Sequence, residues 1–204
     1  MYTGIVHGAY PLVEVVRKPG LHQLFIDLPP VLLEDLTIGA SVGLDGVCMT
    51  VTSIEDGRVS FDAMQETLSL TTLGSLDVGD RVNVERSAKQ GAEIGGHNIS
   101  GHVDGSAEII AIEETANNCT IRFQLPIALS KYVFKKGFVG VSGCSLTVAD
   151  YQREEAQFSV CLIPETLRVT TFAEKRVGDK VNIEVDRQTQ VIVDTVERVL
   201  AERG

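Results

Sequence analysis

The chain is written twice. Gly4-Ile5-Val6-His7-Gly8 returns as Gly101-His102-Val103-Asp104-Gly105, an offset of 97. At the same offset Leu28-Pro29 matches Leu125-Pro126, and Gly43, Gly46, Thr50 and Val51 match Gly140, Gly143, Thr147 and Val148. After a two-residue insertion the offset becomes 99. There Glu66-Thr67-Leu68 matches Glu165-Thr166-Leu167, and Val78-Gly79-Asp80 matches Val177-Gly178-Asp179. Matches in one order with one small shift require two units of the same fold. The glycine pair Gly95-Gly96 before His97 suits a linker. The expected division is therefore residues 1–97, residues 98–195, and a terminal helix over 189–203 that overlaps the end of the second unit.

Each half reads as β-structure. Ser41 to Ser53 carries β-branched residues around Gly46, which describes two strands meeting at a turn. Arg58 to Met64 alternates apolar and polar side chains, as do Arg81 to Glu85 and its counterpart Lys180 to Val185. Asp56-Gly57 and Gly79-Asp80 are turn signals. Pro29–Leu36 and Pro126–Phe134 predict short helical pieces with Pro near the start. Short strands at this spacing favour closed barrels over an open sheet. The expectation is an all-β chain: two tandem six-stranded antiparallel Greek-key barrels followed by a helix. In that helix Ile192, Val196, Val199 and Leu200 share one face. The segment has no counterpart in the first half, so an oligomerisation helix is favoured over one packed on its own barrel.

Composition removes several function classes. The net charge is −10, which argues against nucleic-acid backbones and anionic membrane surfaces as partners. No apolar run approaches the length of a membrane span, and the N-terminus lacks the basic start of a signal peptide. The four cysteines, Cys48, Cys119, Cys144 and Cys161, form no CxxC pair, so no metal site or disulfide framework is expected. A cytoplasmic protein with reduced thiols is the simplest reading.

Several runs then resemble riboflavin synthases of the α-chain type. They are Met1-Tyr2-Thr3-Gly4-Ile5-Val6, Gly46-Val47-Cys48-Met49-Thr50-Val51, Gly95 through Gly105, Ser145-Leu146-Thr147-Val148, Ile163-Pro164-Glu165-Thr166-Leu167 and the tail from Gln188 to Leu200. The resemblance covers the whole chain. It implies two lumazine-binding barrels per chain and a homotrimer joined through the terminal helices. It also implies a dismutation, without cofactor or metal, of two 6,7-dimethyl-8-ribityllumazine molecules into riboflavin and 5-amino-6-ribitylaminouracil. In this family the N-terminal barrel of one chain faces the C-terminal barrel of a neighbour. A non-catalytic lumazine- or flavin-binding paralogue is the competing reading, but such paralogues erode one barrel's motifs and this chain keeps both sets.

The repeat groups the expected substrate contacts by half. In the first they are Gly4, Ile5, Val6, then Cys48, Met49, Thr50, then Asp62, Ala63, Met64, Gln65, Glu66 and Thr67. In the second they are Gly101, His102, Val103, then Ser145, Leu146, Thr147, then Cys161, Leu162, Ile163, Pro164, Glu165 and Thr166, with Lys136 beside them. The chemistry needs a base for the acidic 7-methyl group of one lumazine and a group that adds, or positions water to add, at C7 of the other. His102 is the candidate base; Cys48 and its repeat partner Ser145 are unlike nucleophiles at equivalent positions; Lys136 can stabilise developing negative charge. Asp186 can relay protons, and Ser41 is included through the resemblance alone. Each has a plainer role available: a structural histidine, a small buried residue, a surface lysine, a helix cap. The chain departs from the family pattern at Tyr2, where Phe is usual, and at Asp45 and Ser142 in the two turns.

Overall fold

In the computed structural model, which describes residues 1–203, each repeat closes on itself. The first barrel comprises β1 (Gly8–Lys18), β2 (Leu21–Asp27), β3 (Ser41–Leu44), β4 (Val47–Glu55), β5 (Arg58–Met64) and β6 (Arg81–Arg86). The second comprises β7 (Gly105–Glu114), β8 (Cys119–Gln124), β9 (Phe138–Val141), β10 (Cys144–Gln152), β11 (Gln157–Leu162) and β12 (Lys180–Val185). Around the rings the order is β1-β2-β5-β4-β3-β6 and β7-β8-β11-β10-β9-β12, the same Greek-key path twice, antiparallel throughout.

Period-two patterning builds both interiors. Along β8, Cys119, Ile121 and Phe123 point inward between outward Thr120 and Arg122. Phe123 stacks on Phe158 at 4.9 Å inside the second barrel, and Phe61 is fully buried in the first. Each such ring contributes on the order of 1.5–3 kcal/mol by leaving water. Closure needs strongly bent strands, and the bends repeat too. The register shifts between Leu12 and Glu14 and between Val51 and Ser53, then again between Ile109 and Ala111 and between Val148 and Asp150. Bulges at matched positions give both barrels the same curvature.

The connecting helices are α1 (Pro30–Leu33), α2 (Gln65–Leu70), α3 (Ile127–Ser130) and α4 (Pro164–Val169), and α5 (Arg187–Ala201) follows β12. The pieces expected over 29–36 and 126–134 condense to single turns at α1 and α3. After α1 the backbone leaves helical geometry at Glu34, and Asp35 is left-handed at φ 55°. Helix α5 begins at Arg187 because the Asp186 carboxylate accepts from the Thr189 amide at 2.8 Å, capping the first turn. It leans on the second barrel through Tyr132 and Lys131, both bonded to Asp194, and Lys131 also reaches Glu197. Val191, Ile192, Val196 and Leu200 stay exposed.

The barrels meet turn to turn. A Cβ on Gly46 would lie 2.6 Å from the Gly143 nitrogen, and one on Gly143 would lie 2.8 Å from the Gly46 nitrogen. Both have positive φ, so only glycine fits on either count. Two buried asparagines cross the seam. Asn83 donates to the Ser142 carbonyl and accepts from the Thr171 amide; Asn182 donates to the Asp45 carbonyl and accepts from the Thr72 amide. Four amide bonds thus replace water at a buried contact.

Candidate functional site

The segment that opens each repeat does not stay with its own barrel. Tyr2 and Ile99 pair antiparallel, with amide-to-carbonyl distances of 2.8 and 3.0 Å. Beyond that bridge the two segments cross. The Cys48 amide donates to the Gly101 carbonyl at 2.8 Å, and the Ser145 amide donates to the Gly4 carbonyl at 2.9 Å. Gly4 and Gly101 have positive φ, and a Cβ on either would fall within 2.5 Å of the Ser145 or Cys48 side chain. Buried carboxylates pin the crossing. Glu85 accepts from the Thr3 amide and hydroxyl and the Gly4 amide, and Glu184 accepts from the Ser100 amide and hydroxyl and the Gly101 amide. Burial raises the Glu85 pKa against these bonds. The grouping by halves expected from the repeat is therefore exchanged: Gly101 to Val103 complete the face that carries Cys48, and Gly4 to Val6 the face that carries Ser145.

Each face is the outer surface of a strand pair. Along β4, Val47, Met49 and Val51 point into the barrel while Cys48 and Thr50 point out, and Ser41 on β3 pairs with Thr50. Asp62 and Met64 on β5 extend this surface, followed by Gln65, Glu66 and Thr67 of α2; one buried Asp62 carboxylate oxygen has no partner among the described residues. The matching surface carries Ser145 and Thr147 on β10, Phe138 opposite Thr147, Cys161 on β11, Ile163, and Pro164, Glu165 and Thr166 of α4. Ion pairing with Arg168 lowers the Glu165 pKa. Lys136 precedes β9 in the left-handed region at φ 68°, where its repeat partner is Gly39. A lysine there carries a strain glycine would avoid. The side chains of Val6, Met49, Ala63, Val103, Leu146 and Leu162 are buried, so a ligand on these faces meets only their main chain.

The reactive groups differ between the faces. On the second, His97 Nδ1 lies 2.6 Å from Ser145 Oγ, and its ring stacks on Phe138 at 5.2 Å. Burial lowers the His97 pKa below 6.5, and the Asp186 charge opposes this. Asp186 is thus both helix cap and electrostatic partner. An imidazole bonded to a serine hydroxyl, with a carboxylate nearby, can take and return a proton. On the first face the Tyr2 hydroxyl donates to Cys48 Sγ at 3.2 Å. His102 is exposed; its amide donates to Ser100 Oγ, and its carbonyl accepts from Arg187. Sequence reasoning missed His97, which precedes the repeated block and has no counterpart. Its placement beside the glycine pair was the one signal available. Cavities of about 880 and 340 Å³ lie along the linker and the barrel seam, and neither is lined by Cys48, Thr50, Ser145 or Thr147. Both reactive faces are open surfaces in a single chain.

Comparison with known proteins places the chain in a family. The lumazine binding domain matches twice, over residues 3–87 and 100–186. The chain is 50% identical to riboflavin synthase of Escherichia coli (strain K12) over 204 residues, all of this chain and 95% of that one. It is 46% identical to riboflavin synthase of Chlamydia pneumoniae over 204 residues, 100% of this chain and 99% of that one. With riboflavin synthase of Mycobacterium tuberculosis the identity is 37%, over the full length of both. Among solved structures, LumP complexed with riboflavin superposes with a TM-score of 0.85, covering 92% of this chain and all of that one at 23% identity, a likeness of fold. LumP complexed with 6,7-dimethyl-8-(1'-D-ribityl) lumazine gives 0.83 over the same coverage, 92% and 100%, also at 23% identity. With two matches to the domain model and full-length identity to curated relatives, this chain belongs to the riboflavin synthase family.

Proposed function

We propose that this chain catalyses the dismutation of two 6,7-dimethyl-8-ribityllumazine molecules, moving a four-carbon unit from one to the other to give riboflavin and 5-amino-6-ribitylaminouracil. The observation that carries this reading is the duplication of one outer face with unlike reactive groups, Cys48 on one copy and the Ser145–His97 pair on the other. Shared features, Thr50 with Thr147 and the α2 and α4 threonines, hold the same heterocycle twice. Unshared groups give the two bound molecules different fates. The His97 imidazole takes the Ser145 proton as the hydroxyl oxygen, or a water that it activates, adds at C7 of one ring, while the proton on the 7-methyl group of the other passes to the His102 imidazole on the facing surface. Because the two substrates are identical and exchange carbon with each other, no outside oxidant or reductant enters. Holding them face to face supplies up to roughly 7–11 kcal/mol of the acceleration.

An open face in a single chain fits a site closed by a neighbour. The homotrimer implied by the family supplies one, through the exposed stripe of α5, where Ile192 is 63% and Leu200 65% accessible. The site residues named from the sequence, and a cytoplasmic setting, belong to the same proposal. The test is purified protein mixed with the lumazine and followed by riboflavin absorbance. Two substrates should be consumed per riboflavin formed. Tight binding of the lumazine with no riboflavin would leave a carrier protein instead. Truncation after Asp186 should yield monomers by light scattering together with loss of turnover.

A further inference from the structure

The first reactive face contains a hydroxyl that the repeat does not explain. Tyr2 is held at both main-chain ends by its bridge to Ile99. Its ring is 3% exposed and wedged between two glycines: a Cβ on Gly101 would stand 2.8 Å from Tyr2 Cε2, and one on Gly43 would stand 3.3 Å from Cε1. The ring therefore has one position, and that position delivers its O–H to the Cys48 sulfur. Burial pushes the phenol pKa up, so the group remains a donor at every physiological pH. The repeat partner of Tyr2 is Ile99, which has no hydroxyl, and the repeat partner of Cys48 is Ser145, which is bonded to His97 instead. The two equivalent nucleophile positions are thus held by unrelated groups.

We infer that Tyr2 is a positioning residue for Cys48: its hydroxyl fixes the thiol rotamer and occupies one sulfur lone pair, leaving the S–H to face the outer surface beside Thr50. The fixed ring makes the bond cheap, because the donor loses no further freedom when it forms. On this account the first face carries a thiol oriented by a fixed phenol, whereas the second carries a hydroxyl bonded to an imidazole. The catalytic part of the inference rests on the proposed reaction; the hydrogen bond does not.

The test is Tyr2→Phe, which keeps the ring and removes only the oxygen. Unchanged thermal melting checks that the fold is intact, and should it fall, both readouts are taken at a temperature at which circular dichroism shows the variant fully folded. Two readouts are taken on the full-length protein. In the first, iodoacetamide labelling followed by mass spectrometry should show Cys48 modified about fivefold faster in the variant, with exposed Cys161 unchanged as the internal reference. In the second, kcat should fall about five- to tenfold with KM within twofold, and the same change in a Cys48→Ala background should have no effect on the residual rate. An equal loss in both backgrounds, or an unaltered Cys48 labelling rate, would overturn the inference. If the wild-type protein forms no riboflavin, the labelling arm alone decides whether Tyr2 holds the thiol, and it is the proposed reaction that falls.

Discussion

The two barrels share a path, a set of bulges and a junction, yet their outer faces carry different chemistry. On the first, a buried phenol is bonded to a thiol; on the second, an imidazole is bonded to a hydroxyl. Ser41 stands opposite Thr50, while the position opposite Thr147 is Phe138, which supports His97. Duplication preserves what the fold requires and releases what it does not. The glycines and asparagines of the seam recur because no other residue satisfies both sterics and hydrogen bonding there. The groups on the exposed faces are free to diverge because their replacement leaves the cores intact.

The largest effect expected is at the seam, where the repeats should behave alike. Gly46→Ala and Gly143→Ala each add a Cβ against backbone at a left-handed position and should cost about 3 kcal/mol or more in urea unfolding. Gly79→Ala, left-handed but with nothing near its Cβ, should lose only about 1 kcal/mol. A large difference between the two seam variants would break the equivalence. Next comes the asymmetry of the faces. His97→Gln should lower turnover about 100-fold with substrate affinity little changed, and combining it with Ser145→Ala should cost no more than either alone. Wild-type turnover should also fall on the acid side as His97 becomes protonated, below pH 6.5, and that limb should vanish in His97→Gln.

A smaller difference lies in the turns. Asp45 is fully buried and its pKa is pushed up to about 6 from 3.8, whereas its counterpart Ser142 carries no charge. The folded state therefore holds this proton more tightly than the unfolded state does. The favourable contribution is complete below about pH 4 and is lost as pH rises through 6. Asp45→Asn should then stabilise the protein by about 2 kcal/mol at pH 8 and hardly at all at pH 4, read from melting curves at the two pH values. The smallest expected effect returns to similarity. Thr50→Val and Thr147→Val should each weaken lumazine binding by about 1 kcal/mol in a fluorescence titration. Unequal losses would mean that the threonines do not hold the same edge of the ring.

Much of this was legible in the sequence. Strands β3 to β6 and β12 follow from alternation and turn residues, and the two-barrel fold follows from the repeat. The helices α2 and α4 were not foreseen, because Gln65–Leu70 and Pro164–Val169 are too short to show a helical period. The exchange of Gly4 and Gly101 between faces was invisible for a different reason. An internal repeat states which segments are alike; it is silent on whether equivalent segments serve their own unit or the other one. His97 escaped notice since comparison of the halves finds only what occurs in both.

The exchange also fixes an order of events in time. A chain emerging from synthesis can close its first barrel once β6 is made, but the face around Cys48 stays unfinished until Gly101 appears. Tyr2 must wait for Ile99, and Gly4 for Ser145, which follows it by more than half the length of the chain. Such distant pairings are slow to form, because the intervening chain must be ordered before the contact can reward it. The segment that heads the first repeat is among the last to reach its place, and the outer faces are completed only after both barrels exist to support them.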